Sequence, residues 1–173
     1  MIELVLGGAR SGKSRYAEQQ AVKSGKQVIY IATAEARDEE MQARIRRHCQ
    51  DRPQQWKTVE EPIKLAESIE KHSVENSCLL VDCLTLWLSN ILFDKQGELQ
   101  QTVFEKETQH LFDLLAAYTG QLILVTNEVG LGVVAMDKMT RRFVDEAGFL
   151  HQKVASLSDK VVFISAGLPQ VLK

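Results

Sequence analysis

Residues 2–14 read Ile-Glu-Leu-Val-Leu-Gly-Gly-Ala-Arg-Ser-Gly-Lys-Ser, and no other stretch of the chain constrains its architecture as strongly. Within it, residues 7–14 match the pattern G-x-x-x-x-G-K-[ST] of a phosphate-binding P-loop, between an apolar run and a helical stretch. We predict that Gly7, Gly8 and Gly12 turn the backbone with positive φ, so that successive N–H groups point at an anion.

Two side chains of this loop have expected roles in holding a nucleotide. Lys13 is predicted to reach the β- and γ-phosphates, and Ser14 to offer its hydroxyl to Mg²⁺. The alternative is a glycine-rich turn that binds nothing, which the flanking strand and helix disfavour.

Short apolar runs alternate with longer amphipathic stretches along the rest of the chain, which predicts an α/β fold with a mostly parallel sheet. Right-handed crossovers would make it a three-layer, P-loop NTPase-like domain, which we expect to cover residues 1–173 as a single unit. Strands are expected at 2–6, 28–31, 78–82, 122–126 and 161–164, and helices at 13–24, 38–49, 62–69, 84–92, 99–118 and 143–157.

Composition excludes several classes of protein. The 173 residues are 45% hydrophobic and 25% charged with a net charge of −2, which does not favour broad binding to nucleic acid. The three cysteines (Cys49, Cys78 and Cys83) lack the spacing of a disulfide framework or a zinc site. We find no signal segment and no apolar run long enough to span a membrane. We therefore expect a cytoplasmic protein without a nucleic-acid partner or a membrane span.

Two predicted strands end in polar residues on the side where open α/β sheets bind ligands. Asp82 ends the third strand and fits a magnesium ligand at the end of a strand neighbouring the P-loop strand, whereas the alternative is a cap for the helix near Leu84. Thr126-Asn127-Glu128 ends the fourth strand, and ligand contact and simple strand-end capping are equally open there.

Residues 44–52 hold four arginines around His48. His48 is either a histidine at the edge of a packed helical stripe with solvated arginines, which composition alone favours, or a nucleophilic imidazole. In the second interpretation the guanidinium groups keep the ring neutral and hold phosphates. The residues alone leave both open. The other histidines are expected to be structural or at the surface: His72, His110 and His151.

Five segments give the chain a family resemblance: GGARSGKSRYAE at 7–18, YIATAEARDEEMQARIRRH at 30–48, RPQQWKTVEEP at 52–62, LLVDCLTLWLSN at 79–90 and TNEVGLGVV at 126–134. Through these segments the chain resembles the bifunctional adenosylcobinamide kinase / adenosylcobinamide-phosphate guanylyltransferases of cobalamin biosynthesis. The segments span most of the chain in order, and several are more specific than the P-loop alone.

The resemblance implies two reactions. A nucleoside triphosphate, ATP or GTP, phosphorylates the aminopropanol hydroxyl of adenosylcobinamide, and GTP then donates GMP to that phosphate through a guanylylated histidine, which by position is His48. It also implies a homotrimer with the site near a subunit interface. The P-loop chemistry separately predicts Mg²⁺, held here by Ser14 and Asp82. Some family members look to have Glu where this chain has Asp82. The implied nucleotide contacts are Gly7, Gly8, Ala9, Arg10, Ser11, Gly12, Lys13, Ser14, Ala32, Thr33, Ala34, Cys49, Gln50, Asp51, Arg52, Glu60 and Asp82.

Two other functions are compatible with a P-loop. A monofunctional small-molecule kinase would consume the γ-phosphate and form no GMP adduct. A nucleotide-switched binding protein would hydrolyse slowly and would have no use for the cluster around His48.

Overall fold

The computed structural model describes residues 1–35, 53 and 55–173. Among these residues, seven strands form one sheet in which only the last strand is antiparallel to its neighbour. The strands are β1 (Ile2–Gly7), β2 (Gln27–Ala32), β3 (Lys57–Glu60), β4 (Ser77–Asp82), β5 (Gln121–Asn127), β6 (Lys160–Ser165) and β7 (Leu168–Val171), and the helices are α1 (Lys13–Lys23), α2 (Leu65–His72), α3 (Leu84–Leu92), α4 (Gln101–Ala117) and α5 (Lys138–Leu157).

The strand order is β3-β2-β4-β5-β1-β6-β7, so β1 lies inside the sheet between β5 and β6. All six strands from β1 to β6 run parallel, which brings their carboxyl ends to one edge of the sheet. This edge carries the P-loop after β1, and we call it the ligand edge because open α/β sheets bind their ligands there.

The described helices cover the two faces of the sheet unequally. Helix α1 packs on one face through Ala17 and Ala21. Helices α2 to α5 share the other face, where the core contains fully buried Trp87 from α3. The central strands are almost wholly apolar because a parallel strand between two helical layers is buried on both sides. The predicted three-layer fold with a mostly parallel sheet is therefore confirmed.

All five predicted strands are present, but two further strands were missed. Both β3 and β7 form edges of the sheet and have mostly exposed side chains. An edge strand buries little apolar surface, so its sequence lacks the continuous apolar run that identifies the central strands. The predicted helix at 38–49 lies outside the described residues.

The helix expected to begin at Pro62 begins instead at Leu65. Before it, the Glu61 carboxylate accepts the backbone N–H groups of Ile63 at 3.1 Å and Lys64 at 2.8 Å. These two bonds hold the intervening residues in a turn, so the helix start is set by a local side-chain contact and not by the proline.

The long helix expected from residue 143 begins five residues earlier, at Lys138. Asp137 caps it by accepting the N–H of Thr140 at 2.7 Å. The predicted apolar stripe covers only the part of α5 that packs on the sheet, and its polar first turn lies outside that stripe.

Candidate nucleotide site at the ligand edge

The P-loop joins β1 to α1. A left-handed backbone was expected at three glycines of this loop, but it occurs at only one of them. Gly12, the N-cap of α1, has φ +95°, whereas Gly7 and Gly8 do not have positive φ. Arg10 takes the second left-handed position, with φ +57°. The prediction of positive φ is thus confirmed at Gly12 and wrong at Gly7 and Gly8.

Position 7 requires glycine because the structure leaves no room for a side chain there. A Cβ atom there would lie 2.5 Å from Ser11 Oγ and 2.7 Å from the carbonyl oxygen of Ile164. The carbonyl belongs to β6, so the loop is packed against the neighbouring strand as it leaves the sheet. Any side chain at this position would displace the loop from the sheet.

The turn between β6 and β7 braces the P-loop from the same side. Gly167 donates its N–H to the carbonyl oxygen of Ser11 at 2.8 Å. Its Cα would lie 3.2 Å from a Cβ atom placed on Gly12. The C-terminal hairpin therefore helps to set the shape of the phosphate-binding loop, although its sequence gave no such indication.

Lys13 is held inside the loop, with its residue only 8% exposed. Its Nζ donates to the carbonyl oxygen of Gly8 at 3.1 Å. Burial lowers the pKa of Lys13, and the nearby Asp82 and Cys83 act in the opposite direction. A partly desolvated ammonium attracts an anion more strongly than one in water, because less solvent screens the pair. Ser14 follows it in the first turn of α1 and is half-buried.

Asp82 ends β4 at the same edge, and its carboxylate accepts the phenol of Tyr30 at 2.9 Å. The N-cap of α3 is Cys83, so the capping alternative for Asp82 is wrong. The peptide bond between the two residues is cis. Burial, and then the charge of Asp82, raise the pKa of the Cys83 thiol to about 12.

The prediction that Asp82 ends a strand neighbouring the P-loop strand is also wrong. Strand β5 lies between β4 and β1. The charge of Asp82 nonetheless acts on the ammonium of Lys13, because it raises the pKa of that lysine against the larger lowering by burial. A metal role for Asp82 stays a prediction.

Strands β2 and β3 bring three further predicted residues to this edge. Ala32 is in register with Asp82 on one side and with exposed Glu60 on the other. Ala34 is half-buried just beyond the end of β2. These positions are compatible with nucleotide contact, which stays a prediction for each of them.

Thr33 is fully buried and connects two elements of this edge, while its contact with a nucleotide stays a prediction. Its Oγ1 accepts the N–H of Cys83 at 2.8 Å and donates to the carbonyl oxygen of the same residue at 2.7 Å. Its own N–H donates to the carbonyl oxygen of Asp82 at 3.2 Å. Thr33 therefore fastens the end of β2 to the turn that presents Asp82.

A buried polar network lies behind the end of β5. Thr126 Oγ1 lies 3.0 Å from Thr85 Oγ1 and 2.8 Å from His151 Nε2. His151 Nδ1 in turn lies 3.7 Å from the carboxylate of Glu128. Burial lowers the pKa of His151 although Glu128 favours the charged ring. His151 is thus buried in a network and not at the surface.

Glu128 itself stands immediately beside the P-loop. Its N–H donates to the carbonyl oxygen of Gly7 at 3.0 Å. Its Oε1 accepts the N–H of Gly130 at 2.6 Å, and its side chain is 21% exposed. For Thr126-Asn127-Glu128, the structure thus shows bonds to the P-loop, to Thr85 and to His151, and contact with a ligand stays a prediction.

The segment with the predicted nucleophile lies outside the described residues. This applies to His48 and to the expected contacts Cys49, Gln50, Asp51 and Arg52. Within the described part of the chain, no cluster of three or more His, Cys, Asp or Glu residues has the geometry to hold a metal ion. In the same residues, no helix has the length and apolarity needed to cross a membrane.

The sequence did not predict that Tyr30 contacts Asp82 or that Thr126 contacts His151, the ring that faces Glu128. Tyr30 and Thr126 are polar residues within otherwise apolar strands, and that departure was the available signal. It indicates a buried polar contact but does not identify the partner.

Comparison with known proteins agrees with this geometry. The family described as cobinamide kinase / cobinamide phosphate guanyltransferase matches residues 3–172. The bifunctional adenosylcobalamin biosynthesis protein CobP of Pseudomonas aeruginosa is 49% identical over 173 residues, covering 100% of this chain and 98% of that protein. The bifunctional adenosylcobalamin biosynthesis protein CobU of Escherichia coli is 37% identical over 182 residues, covering 100% of both chains.

More distant solved structures share the fold alone. The RadB recombinase superposes with a TM-score of 0.53 at 16% identity, over 94% of this chain and 73% of that chain. The flagellar accessory protein FlaH from Methanocaldococcus jannaschii gives 0.51 at 11% identity, over 99% and 77%. Because the family match and both relatives cover nearly the whole chain, this protein belongs to the cobinamide kinase / cobinamide phosphate guanyltransferase family of bifunctional enzymes.

Proposed function

We propose that this chain phosphorylates the aminopropanol hydroxyl of adenosylcobinamide and then transfers GMP from GTP to the resulting phosphate. The intermediate is a guanylylated His48, and pyrophosphate is released when it forms. The observation that carries the proposal is a P-loop with a buried lysine beside Asp82, in a chain that matches this family from residue 3 to 172. We propose one catalytic domain over residues 1–173, because strands from Ile2 to Val171 belong to one sheet.

The nucleotide, ATP or GTP in the kinase step and GTP in the transfer step, is proposed to bind along the ligand edge. The backbone N–H groups of residues 7–14 surround its phosphates at the N-terminus of α1, where the helix dipole favours an anion. Lys13 exchanges the carbonyl oxygen of Gly8 for a phosphate oxygen. The further proposed contacts are Ala32, Thr33, Ala34, Cys49, Gln50, Asp51, Arg52, Glu60 and Asp82.

Mg²⁺ fits the donors that this edge offers. It prefers oxygen ligands and is usually held by one or two carboxylates together with substrate phosphates. Ser14 supplies a hydroxyl and Asp82 a carboxylate, of which Oδ2 bonds to Tyr30. When bound, the ion would neutralise charge on the phosphate oxygens.

The kinase step requires positioning and charge neutralisation more than covalent chemistry. The loop is already braced by the β6–β7 turn and by Lys13, so its donors need little rearrangement when the nucleotide binds. Preorganised donors of this kind favour the transition state because they need not be reoriented as charge develops.

The transfer step proceeds through two displacements. His48 attacks the α-phosphorus, the bond to the bridging oxygen breaks, and pyrophosphate leaves toward Lys13. The cobinamide phosphate then attacks the same phosphorus, breaks the N–P bond and returns the imidazole. Dividing one difficult displacement into two is the usual gain from covalent catalysis, and the neighbouring arginines stabilise phosphate charge.

The test is incubation of the enzyme with GTP labelled at the α-phosphorus, followed by intact-protein mass measurement. We expect one GMP adduct in the wild type and none in His48→Asn. His110→Asn is the matched control, since that ring belongs to a surface pair with Glu70 at 3.6 Å, and it should keep the adduct. Absence of an adduct in the wild type would contradict the function, and an adduct in His48→Asn would contradict the residue.

We also propose a homotrimer that works in the cytoplasm, where nucleoside triphosphates are supplied. The segment after Glu128 exposes a run of apolar side chains, and such a patch commonly marks a contact surface. Its members are Leu131 at 81%, Val133 at 99%, Val134 at 77% and Met136 at 97% exposure. Light scattering should give the mass of three 19.5 kDa chains, and a monomer at all concentrations would contradict the proposal.

A further inference from the structure

The two proposed reactions differ in one chemical requirement. The kinase step uses a hydroxyl group as nucleophile, and this group loses a proton as its oxygen bonds to phosphorus. In the GMP transfer, the acceptor is a phosphate that is already anionic, so no proton acceptor is needed. A group that serves only the first reaction is therefore expected to be a base near the γ-phosphate.

Glu128 lies beside the P-loop, in the region where such a base is expected. It directly follows β5, the strand between β1 with its P-loop and β4 with Asp82. Its N–H is bonded to the carbonyl oxygen of Gly7, so the residue is one hydrogen bond from the phosphate-binding loop. The 21% exposure of its side chain leaves the carboxylate open to an incoming hydroxyl.

The protons of the buried network can be placed so that every donor has an acceptor. Thr85 Oγ1 accepts the N–H of Asn127 at 2.7 Å and donates to Thr126 Oγ1. Thr126 Oγ1 then donates to His151 Nε2. The remaining ring proton is on Nδ1, which faces the Glu128 carboxylate.

This arrangement defines what His151 does for its neighbour. The ring is 7% exposed and belongs to the middle of α5, so its position is determined by the core and not by solvent. It presents an N–H to one side of the Glu128 carboxylate, while Gly130 presents another at 2.6 Å. The hydrogen bond from Gly130 and the ring 3.7 Å away on a rigid helix hold the carboxylate in one orientation.

We propose that Glu128 is the catalytic base of the phosphorylation step and that His151, supported by Thr126 and Thr85, is its positioning residue. The proposal rests on the proposed function. The hydroxyl proton of the corrinoid side chain moves to a Glu128 oxygen as the new O–P bond forms. The bond from the γ-phosphorus to the bridging oxygen breaks, and the nucleoside diphosphate leaves with the electron pair. Glu128 later releases the proton to solvent.

The competing explanation is that Glu128 only shapes the turn at residues 128–130. Glu128→Gln separates the two explanations, because the amide retains a carbonyl oxygen for the N–H of Gly130 but is not a base. Asp94→Asn is the matched control. Asp94 also accepts two loop N–H groups, at 2.9 and 2.8 Å, but it follows α3, which leads away from the ligand edge.

Two rates are measured for each variant: phosphorylation of adenosylcobinamide, and GMP adduct formation from GTP. Glu128→Gln should lower kcat of phosphorylation by about 10²- to 10⁴-fold and leave adduct formation at close to the wild-type rate. Asp94→Asn should leave both rates unchanged. Phosphorylation by Glu128→Gln at near the wild-type rate would overturn the proposal, as would an equal loss of both rates, which would indicate a distorted loop.

The role of His151 is tested by two substitutions, to asparagine and to glutamine, which place an amide group at different distances from the backbone. The amide nitrogen of His151→Asn can take the place of Nδ1 and donate toward Glu128, whereas the amide oxygen of His151→Gln can take the place of Nε2 and accept from Thr126. We expect His151→Asn to keep more of the phosphorylation kcat than His151→Gln, with KM for adenosylcobinamide unchanged in both. Equal activity of the two, or the reverse order, would overturn the positioning role.

The wild-type adduct is measured in the same experiment, which keeps the two hypotheses apart. Failure of the proposed function would be seen as a wild-type protein that forms no adduct. Failure of the present inference would be seen as a wild-type protein that forms the adduct and a Glu128→Gln variant that still phosphorylates.

Discussion

The ends of β4 and β5 lie side by side at the ligand edge, and each presents one carboxylate in a different environment. Asp82 has a phenol as its partner and influences the charge of Lys13. Glu128 has a backbone N–H and a buried imidazole as partners and stands behind the first residue of the P-loop. Two carboxylates at the ends of adjacent strands can thus have different roles because different groups surround them.

This comparison separates what both reactions share from what only one requires. The nucleotide must be held in both, so the end of β4 and Lys13 should matter to both. A proton is removed from the acceptor in only one, so the end of β5 should matter to that one.

The largest effect that both reactions should share is expected at Lys13, which neither carboxylate can replace. Lys13→Ala should lower phosphorylation and adduct formation together by about 10²- to 10³-fold, because a preorganised positive charge on the phosphates is lost. The control is Lys23→Ala, an exposed lysine in the last turn of the same helix. Retention of either reaction by Lys13→Ala would show that the two reactions do not share this nucleotide site.

Asp82→Asn should have the next largest effect and should again lower both rates. We expect a loss of about 10- to 100-fold that excess Mg²⁺ partly restores, as is usual when a group that holds or orients a metal is altered. Asp113→Asn, an exposed residue of α4 that accepts from Gln109, is the control. Loss of phosphorylation alone would place Asp82 on the same side of the division as Glu128.

The smallest effect is expected on stability, through His151. Burial lowers the pKa of this ring in the folded protein below its ordinary value of about 6.5. As the pH falls below about 6.5, His151 becomes protonated in the unfolded chain but stays neutral in the folded protein. The free energy of unfolding therefore decreases until the pH reaches the lower pKa of the folded state. Below that point the loss is constant.

Thermal unfolding of the wild type and His151→Gln across this pH range isolates the contribution. The melting temperature of the wild type should fall more steeply on acidification than that of the variant, which has no ring to protonate. If the melting temperatures of the two proteins changed in parallel with pH, His151 would have the same pKa in the folded and unfolded states. That result would contradict the effect of its burial.

The parts of this molecule that could be predicted from sequence are those with a short-range cause. The P-loop is a contiguous motif, and β1, β4 and β5 are apolar runs because both their faces are buried. Strands β3 and β7 could not be predicted, because they lie at the edges of the sheet and are exposed to solvent. An edge strand forms by pairing with the free backbone groups of its neighbour and needs no run of apolar residues.

The site was less predictable because its decisive contacts join distant residues. Tyr30 reaches Asp82 across 52 positions, and Thr126 reaches His151 across 25. Local spacing cannot indicate such pairs. The requirement for glycine at position 7 is similarly caused by Ile164 of a neighbouring strand, and not by the backbone angle that the motif suggested.

The most direct test of this account is the ratio of the phosphorylation rate to the adduct-formation rate in Asp82→Asn and Glu128→Gln, measured on the same preparations as the wild type. The account predicts that the ratio is nearly unchanged in Asp82→Asn and falls by at least about 10²-fold in Glu128→Gln. A ratio that falls equally in both variants, or that is unchanged in Glu128→Gln, would contradict the division between the two strand ends.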